Sequence, residues 1–144
     1  MADEVVGSMA ARRARTTRVV VEVTAEVSQL MMMRSLTDTV SLIAGLSLDR
    51  AAEIRVVVDE VATSLMRAAI PGTDLRCEFD ADAHRLRVHV RSRSAVRDPI
   101  DESGFAWHVI KATTDLLEVR GAPVADPDGG YDVEVVFEQR RTSR

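Results

Sequence analysis

The stretch VVVDEVATSLM, Val56 to Met66, sets an acidic pair inside an apolar run. On a 3.6-residue period Ile54, Val58, Val61 and Leu65 share one face, which predicts an amphipathic helix with that stripe in the core. Glu53, Glu60 and Ser64 then lie together on its shoulder, about a quarter turn from the stripe. Asp59 and Arg55 fall on the opposite, more solvated side. A carboxylate and a hydroxyl one turn apart at the edge of a core are either a half-exposed amphipathic shoulder or a site.

Working outward, Asp49 is expected to cap this helix and Pro71-Gly72 to end it. Before it, Ser28 caps a first helix that stops near Ala44 at Gly45. Met32, Met33, Leu36, Val40 and Ile43 make its core stripe. Leu30, Met31 and Leu42 fall on the far side, around Arg34 and Asp38. Such a patch is either a partner surface, which methionine suits, or the seat of a loop or of the N-terminal arm. A β-branched strand opens the ordered chain near Thr16.

Beyond Gly72 the period changes to two. Leu75, Cys77 and Phe79 point one way in one strand, as do Leu86, Val88 and Val90 in the next. A polar loop with Pro99 leads to a short helix from about Phe105 to Asp115, with Trp107 in its core face. Two strands, LLEVR and YDVEVVFEQ, follow, and the turn-rich APVADPDGG joins them. The order β-α-α-β-β-α-β-β predicts an α+β two-layer sandwich, a mixed sheet with three helices on one face. Residues 15–139 form the domain, between a flexible arm (1–14) and a flexible tail (140–144).

Composition narrows the function classes. A net charge of −4 gives no global attraction to nucleic acid. Arg85, Arg87, His89, Arg91 and Arg93 alternate onto one strand face, but no aromatic residues interleave for base stacking. The single cysteine rules out an intramolecular disulfide. His84, His89 and His108 lack the company a metal site needs. No apolar run reaches the ~18 residues of a membrane span, and the start lacks a signal peptide's apolar core, so a cytoplasmic location is expected.

At VDEVATS the chain resembles the RsbW/SpoIIAB anti-sigma factors, serine-protein kinases of the GHKL ATPase superfamily with the Bergerat fold. The resemblance runs from about Arg18 to Gln139. It implies that Glu60 is the general base of phosphoryl transfer, and it places Ser64 where the family has a magnesium-holding asparagine. The family's D-x-G-x-G becomes Ser92, Ser94 and Val96 within HVRSRSAV, so the adenine-binding carboxylate and both glycines are replaced. Its G-x-G-L becomes GFAW, keeping Gly104 but setting Ala106 at the second glycine. The site for ATP and magnesium therefore reads as degraded.

Counted back from Glu60 without a gap, Arg34 falls where the family carries an arginine that grips both the sigma factor and the anti-anti-sigma protein. The VDEV…LMRAAIP and FAWHV segments are most similar to the mycobacterial anti-sigma-F branch. The resemblance implies sequestration of an alternative, stress-type sigma factor, release by an anti-anti-sigma partner with a STAS domain, and a homodimer. The alternative it implies is an active kinase phosphorylating that partner with Mg·ATP.

Overall fold

Antiparallel pairing between neighbours builds the whole sheet of the computed structural model, which describes residues 17–125 and 129–141. Its strands are β1 (Thr17–Thr24), β2 (Asp74–Ala81), β3 (Arg85–Ser94), β4 (Leu116–Pro123) and β5 (Tyr131–Arg140), in spatial order β1-β2-β3-β5-β4. Helices α1 (Leu30–Ile43), α2 (Leu48–Ala68) and α3 (Phe105–Thr113) complete the α+β sandwich. The expected mixed sheet is corrected. The crossover through α3 carries β4 two places from β3, and β5 fills the gap antiparallel to both.

Period-two alternation fixes the register. Val21, Cys77, Val90, Val135 and Val119 follow one another across the sheet, as do Val19, Phe79, Val88, Phe137 and Leu117. A one-residue slip would turn every one of these side chains outward, so the pattern excludes the neighbouring registers. α2 supplies the facing layer with Ile54, Val57, Val58, Val61, Ala62, Leu65 and Met66, all buried. The expected stripe is there, widened by one flank.

The helix caps differ from expectation. The hydroxyl of Ser47, not Asp49, accepts from the Arg50 N–H at 3.2 Å, and Asp49 sits in the first turn, where its charge suits the helix dipole. α1 starts without a side-chain cap, because a 3-10 turn at Val27–Gln29 leads directly into it and takes up Ser28. It stops as read: Gly45 takes φ +72°, and the Arg141 guanidinium packs over its bare Cα.

α1 is rotated from its expected face. Leu30, Met33, Thr37, Val40 and Ser41 are buried, while Met32 and Ile43 are exposed. Its apolar residues surround the helix, so hydrophobicity alone does not choose a side. Thr37 can face inward because its hydroxyl donates to the Met33 carbonyl at 2.7 Å within the same helix.

The outer sheet face carries the arginine strip, and acidic residues on neighbouring strands neutralise it. Arg85 meets Glu138 at 3.0 Å, Arg91 meets Glu134 at 3.0 Å, and Arg93 meets Asp132 at 3.1 Å. These pairs directly oppose or lie diagonal across β3 and β5, where opposite charges favour the register. The end of β5 is also anchored: Arg140 belongs to the strand, and Arg141 donates its N–H to the His84 carbonyl and Nη1 to the Ala83 carbonyl. Strand β5 thus continues through residue 140. The expected arm at 1–14 and the rest of the tail, 142–144, lie outside the described residues.

Cys77 is fully buried, and burial pushes its thiol up to about 12. The folded state therefore favours the neutral thiol. Its contribution to stability is complete below the unfolded thiol's pKa of about 8.5 and is lost as pH rises from there towards 12. A thiol reagent at pH 8 is expected to label Cys77 only at the rate of global unfolding. Rapid labelling of the folded protein would contradict the burial.

Candidate functional site

Two neighbouring features gather the candidate residues, and the acidic pair of α2 points one carboxylate at each. Asp59, half-buried, faces α1, and its Oδ1 accepts from Arg34 Nε at 2.6 Å. Glu60, one residue on, lies a hundred degrees around the helix and lines a cavity. The two adjacent carboxylates therefore serve different ends. Asp59 orients an arginine, and Glu60 faces open space.

The first feature is the outer face of α1 and α2. Arg34 pairs with Asp59, and Arg55 approaches Asp38 at 3.7 Å, so the two helices exchange charges of opposite sign. The Asp59 hydrogen bond and charge raise the Arg34 pKa, keeping the guanidinium ionised. Both members of the pair are partly open to water, so the pair adds little to stability. It fixes Nε and leaves the terminal guanidinium nitrogens without a hydrogen-bond partner among the described residues. Met31, 75% exposed, and Leu42, 82% exposed, lie along the same stripe as Arg34 and Asp38. Leu30, expected in this patch, is corrected: it is buried in the core, because α1 is rotated. Met32 and Ile43 on the other flank of α1 and Val56 of α2 are also exposed.

The second feature is a cavity of about 260 Å³ between α2 and α3, lined by Glu60, Ser64, Asp101, Gly104, Ala106 and Trp107 among others. Four of the expected nucleotide-site residues, Glu60, Ser64, Gly104 and Ala106, come together here. Glu60 and Ser64 meet because they are four residues apart on one helix face. Gly104 and Ala106 join them because Gly104 is the N-cap of α3, in extended backbone, with no side chain capping the helix. Trp107 is buried, as its helix position predicts. Glu53, the third residue of the α2 shoulder, is drawn away: Gln139 Nε2 and Arg50 Nη1 both donate to its carboxylate.

Ser92 does not join the cavity. It is 6% exposed on the helix-facing side of β3, and its Oγ has no hydrogen-bond partner among the described residues. Ser94 spends its hydroxyl on the backbone, donating to the Val96 carbonyl at 2.6 Å. Val96 is exposed.

Asp101 escaped the sequence reading. Its Oδ1 accepts from the Ser103 hydroxyl at 2.6 Å and the Ser103 N–H at 3.1 Å, which holds the carboxyl below the usual carboxylate range. The signal was present in Asp101-Glu102-Ser103-Gly104, an aspartate two residues before a serine at a helix entrance.

The residues present fit Mg·ATP only in part. Two carboxylates, Glu60 and Asp101, and one hydroxyl, Ser64, supply the charged and hydroxyl side chains of the lining, and no lysine, arginine or histidine appears in it. The uncapped N-terminus of α3 offers a phosphate its N–H groups, but no basic side chain of the lining joins it. At the adenine end the expected acceptor, Ser92, faces the core instead. The space is also just below the roughly 300 Å³ at which small-molecule sites begin.

No protein-family model matches the chain. It is 32% identical over 96 residues to the anti-sigma-F factor RsbW of Mycobacterium tuberculosis, in each of two strains. That match takes in 67% of this chain and 57% of each relative, so it spans little more than half the relatives' length. The α+β sandwich is consistent with this similarity. The chain is a homologue of the RsbW-type anti-sigma factors.

Proposed function

We propose that this protein is an anti-sigma factor that sequesters an alternative RNA polymerase sigma factor of the stress type through the outer face of α1 and α2. The observation that carries the reading is Arg34, held by Asp59 amid exposed Met31 and Leu42. An arginine anchored at one nitrogen and flanked by exposed methionine has the make-up of an interface hot spot. The similarity to anti-sigma-F factors supports the same reading. A STAS-type anti-anti-sigma protein competing for Arg34 would release the sigma factor. The protein works in the cytoplasm, where its partners are, and as a homodimer.

The donor set of the cavity argues that sequestration runs without nucleotide, and that Glu60 is not the base of an efficient kinase. The test is a pull-down from a native actinobacterial lysate with no added nucleotide, read by mass spectrometry. A retained sigma factor is the expected result. No sigma factor with or without Mg·ATP would overturn the proposal.

The kinase reading keeps one observation in its favour, the meeting of Glu60, Ser64 and the α3 N-terminus. Wild-type and Glu60→Ala protein should transfer equally little radiolabelled phosphate from ATP to the anti-anti-sigma partner. Transfer that is strong in wild type and lost in the variant would restore the enzyme.

A further inference from the structure

Strand β1 lies at one end of the sheet, and its outer edge has no strand beside it among the described residues. Such an edge presents a row of backbone N–H and C=O groups that can pair with another strand. β4 lies at the other end, but Gly121 and Pro123 weaken it as a pairing edge, and its Glu118 is joined to Arg120 of the same strand at 2.8 Å. β1 contains neither glycine nor proline. Its core-side residues Val19, Val21 and Val23 are only half-buried, and Val20 on the other face is 42% exposed.

The β1 sequence, TRVVVEVT, is complementary to its own reverse. Arg18 and Glu22 stand two places either side of Val20 and share its face of the sheet. An antiparallel copy centred on Val20 sets Arg18 opposite the partner's Glu22, Glu22 opposite the partner's Arg18, and Val20 opposite the partner's Val20. On the core side, Val19 then meets the partner's Val21 and closes the half-open end of the hydrophobic layer. Shifts that keep each face together move the partner by two residues. A shift of two sets one of the charged residues opposite valine, and a shift of four sets Arg18 against itself or Glu22 against itself. One register joins both charges. Neither side chain is used up within its own chain. Arg18 gives Nε to Glu78 at 2.5 Å and stays 64% exposed, and Glu22 meets Arg76 at 3.5 Å and stays 59% exposed.

We propose that two copies of this chain join edge to edge through β1, antiparallel about Val20, so that their sheets become one. The inference rests on the homodimer of the proposed function and says where its copies meet.

Equilibrium sedimentation of the full chain tests it, and the wild type should be a dimer. Arg18→Glu brings carboxylates face to face across the two strands, and Glu22→Arg does the same with guanidinium groups. Each should weaken self-association by about tenfold or more. An equimolar mixture of the two variants should regain the dimer, because every charged pair between the strands is then opposite in sign. A folding defect is not repaired by such mixing. Should either variant lose its fold in a thermal melt, Val20→Cys decides. Cysteines directly opposite in antiparallel strands lie within the Cα separation of a disulfide, so mild oxidation should cross-link the dimer, and buried Cys77 does not compete.

A monomeric wild type would overturn this interface together with the homodimer, and would leave the edge to the strand of a different protein. A dimer untouched by both substitutions, or a mixture of folded variants that stays monomeric, would overturn the β1 pairing while the homodimer stands. So would a Val20→Cys dimer that does not cross-link.

Discussion

Arg34→Glu should leave the protein folded and weaken sigma-factor binding by roughly 30-fold or more, the range of an interface hot spot. The reasoning begins with exposure. Arg34 lies on the outer face of α1, so reversing its charge opens no cavity in the core. The replaced side chain would confront Asp59, its present partner at 2.6 Å. Repulsion between two carboxylates there is relieved by rotation into water. At an interface the same reversal sets a carboxylate where the partner expects a cation, and a like-charge contact there is strongly unfavourable. Asp59→Asn should have a smaller effect in the same direction, because it loosens the arginine without removing it. The measurement is calorimetric titration of each variant with the sigma factor retained in the pull-down, beside a thermal melt. Wild-type affinity in a folded Arg34→Glu variant would remove α1 from the interface.

Phe137→Ala should cost about 3–5 kcal/mol of stability, the range for deleting a large aromatic side chain from a core. Phe137 is fully buried, with Val88 on one neighbouring strand and Leu117 on the other. Because those neighbours are held by the sheet, they cannot collapse into the space. Against a typical domain stability of about 5–15 kcal/mol, this loss brings the fold near its limit. Urea unfolding should show a lower midpoint with an unchanged slope. A loss under about 1 kcal/mol would mean that the sheet face is not packed as described.

How far the sequence foretold this structure varies from element to element. β2, β3 and β5 were legible because one face of each is buried, so alternation carried the whole signal. The same alternation, followed from Val88 and Val90, already sends Ser92 and Ser94 to the core side. Ser92 accordingly lies outside the lining of the cavity between α2 and α3. α2 was legible because its apolar residues are confined to one broad stripe. α1 was not, since Leu30, Met31, Met32 and Met33 surround the helix and the buried polar residues Thr37 and Ser41 carry no hydrophobic mark.

The site divides in the same manner. Glu60 with Ser64 followed from helix geometry, whereas their meeting with Gly104 and Ala106 came from the family resemblance. Asp59 as the holder of Arg34 was not legible, because the pair joins residues 25 apart across two helices. Only the packing of α1 on α2 reveals it. Adjacent carboxylates thus serve separate ends, Asp59 at a docking face and Glu60 at a cavity, and one glance at the acidic pair does not distinguish them.

The central claim is sequestration of a sigma factor without nucleotide, and size-exclusion chromatography of the two purified proteins tests it most directly. Mixed in buffer containing EDTA and no ATP, they should elute together as one complex. Separate elution that becomes co-elution only when Mg·ATP is supplied would contradict the account.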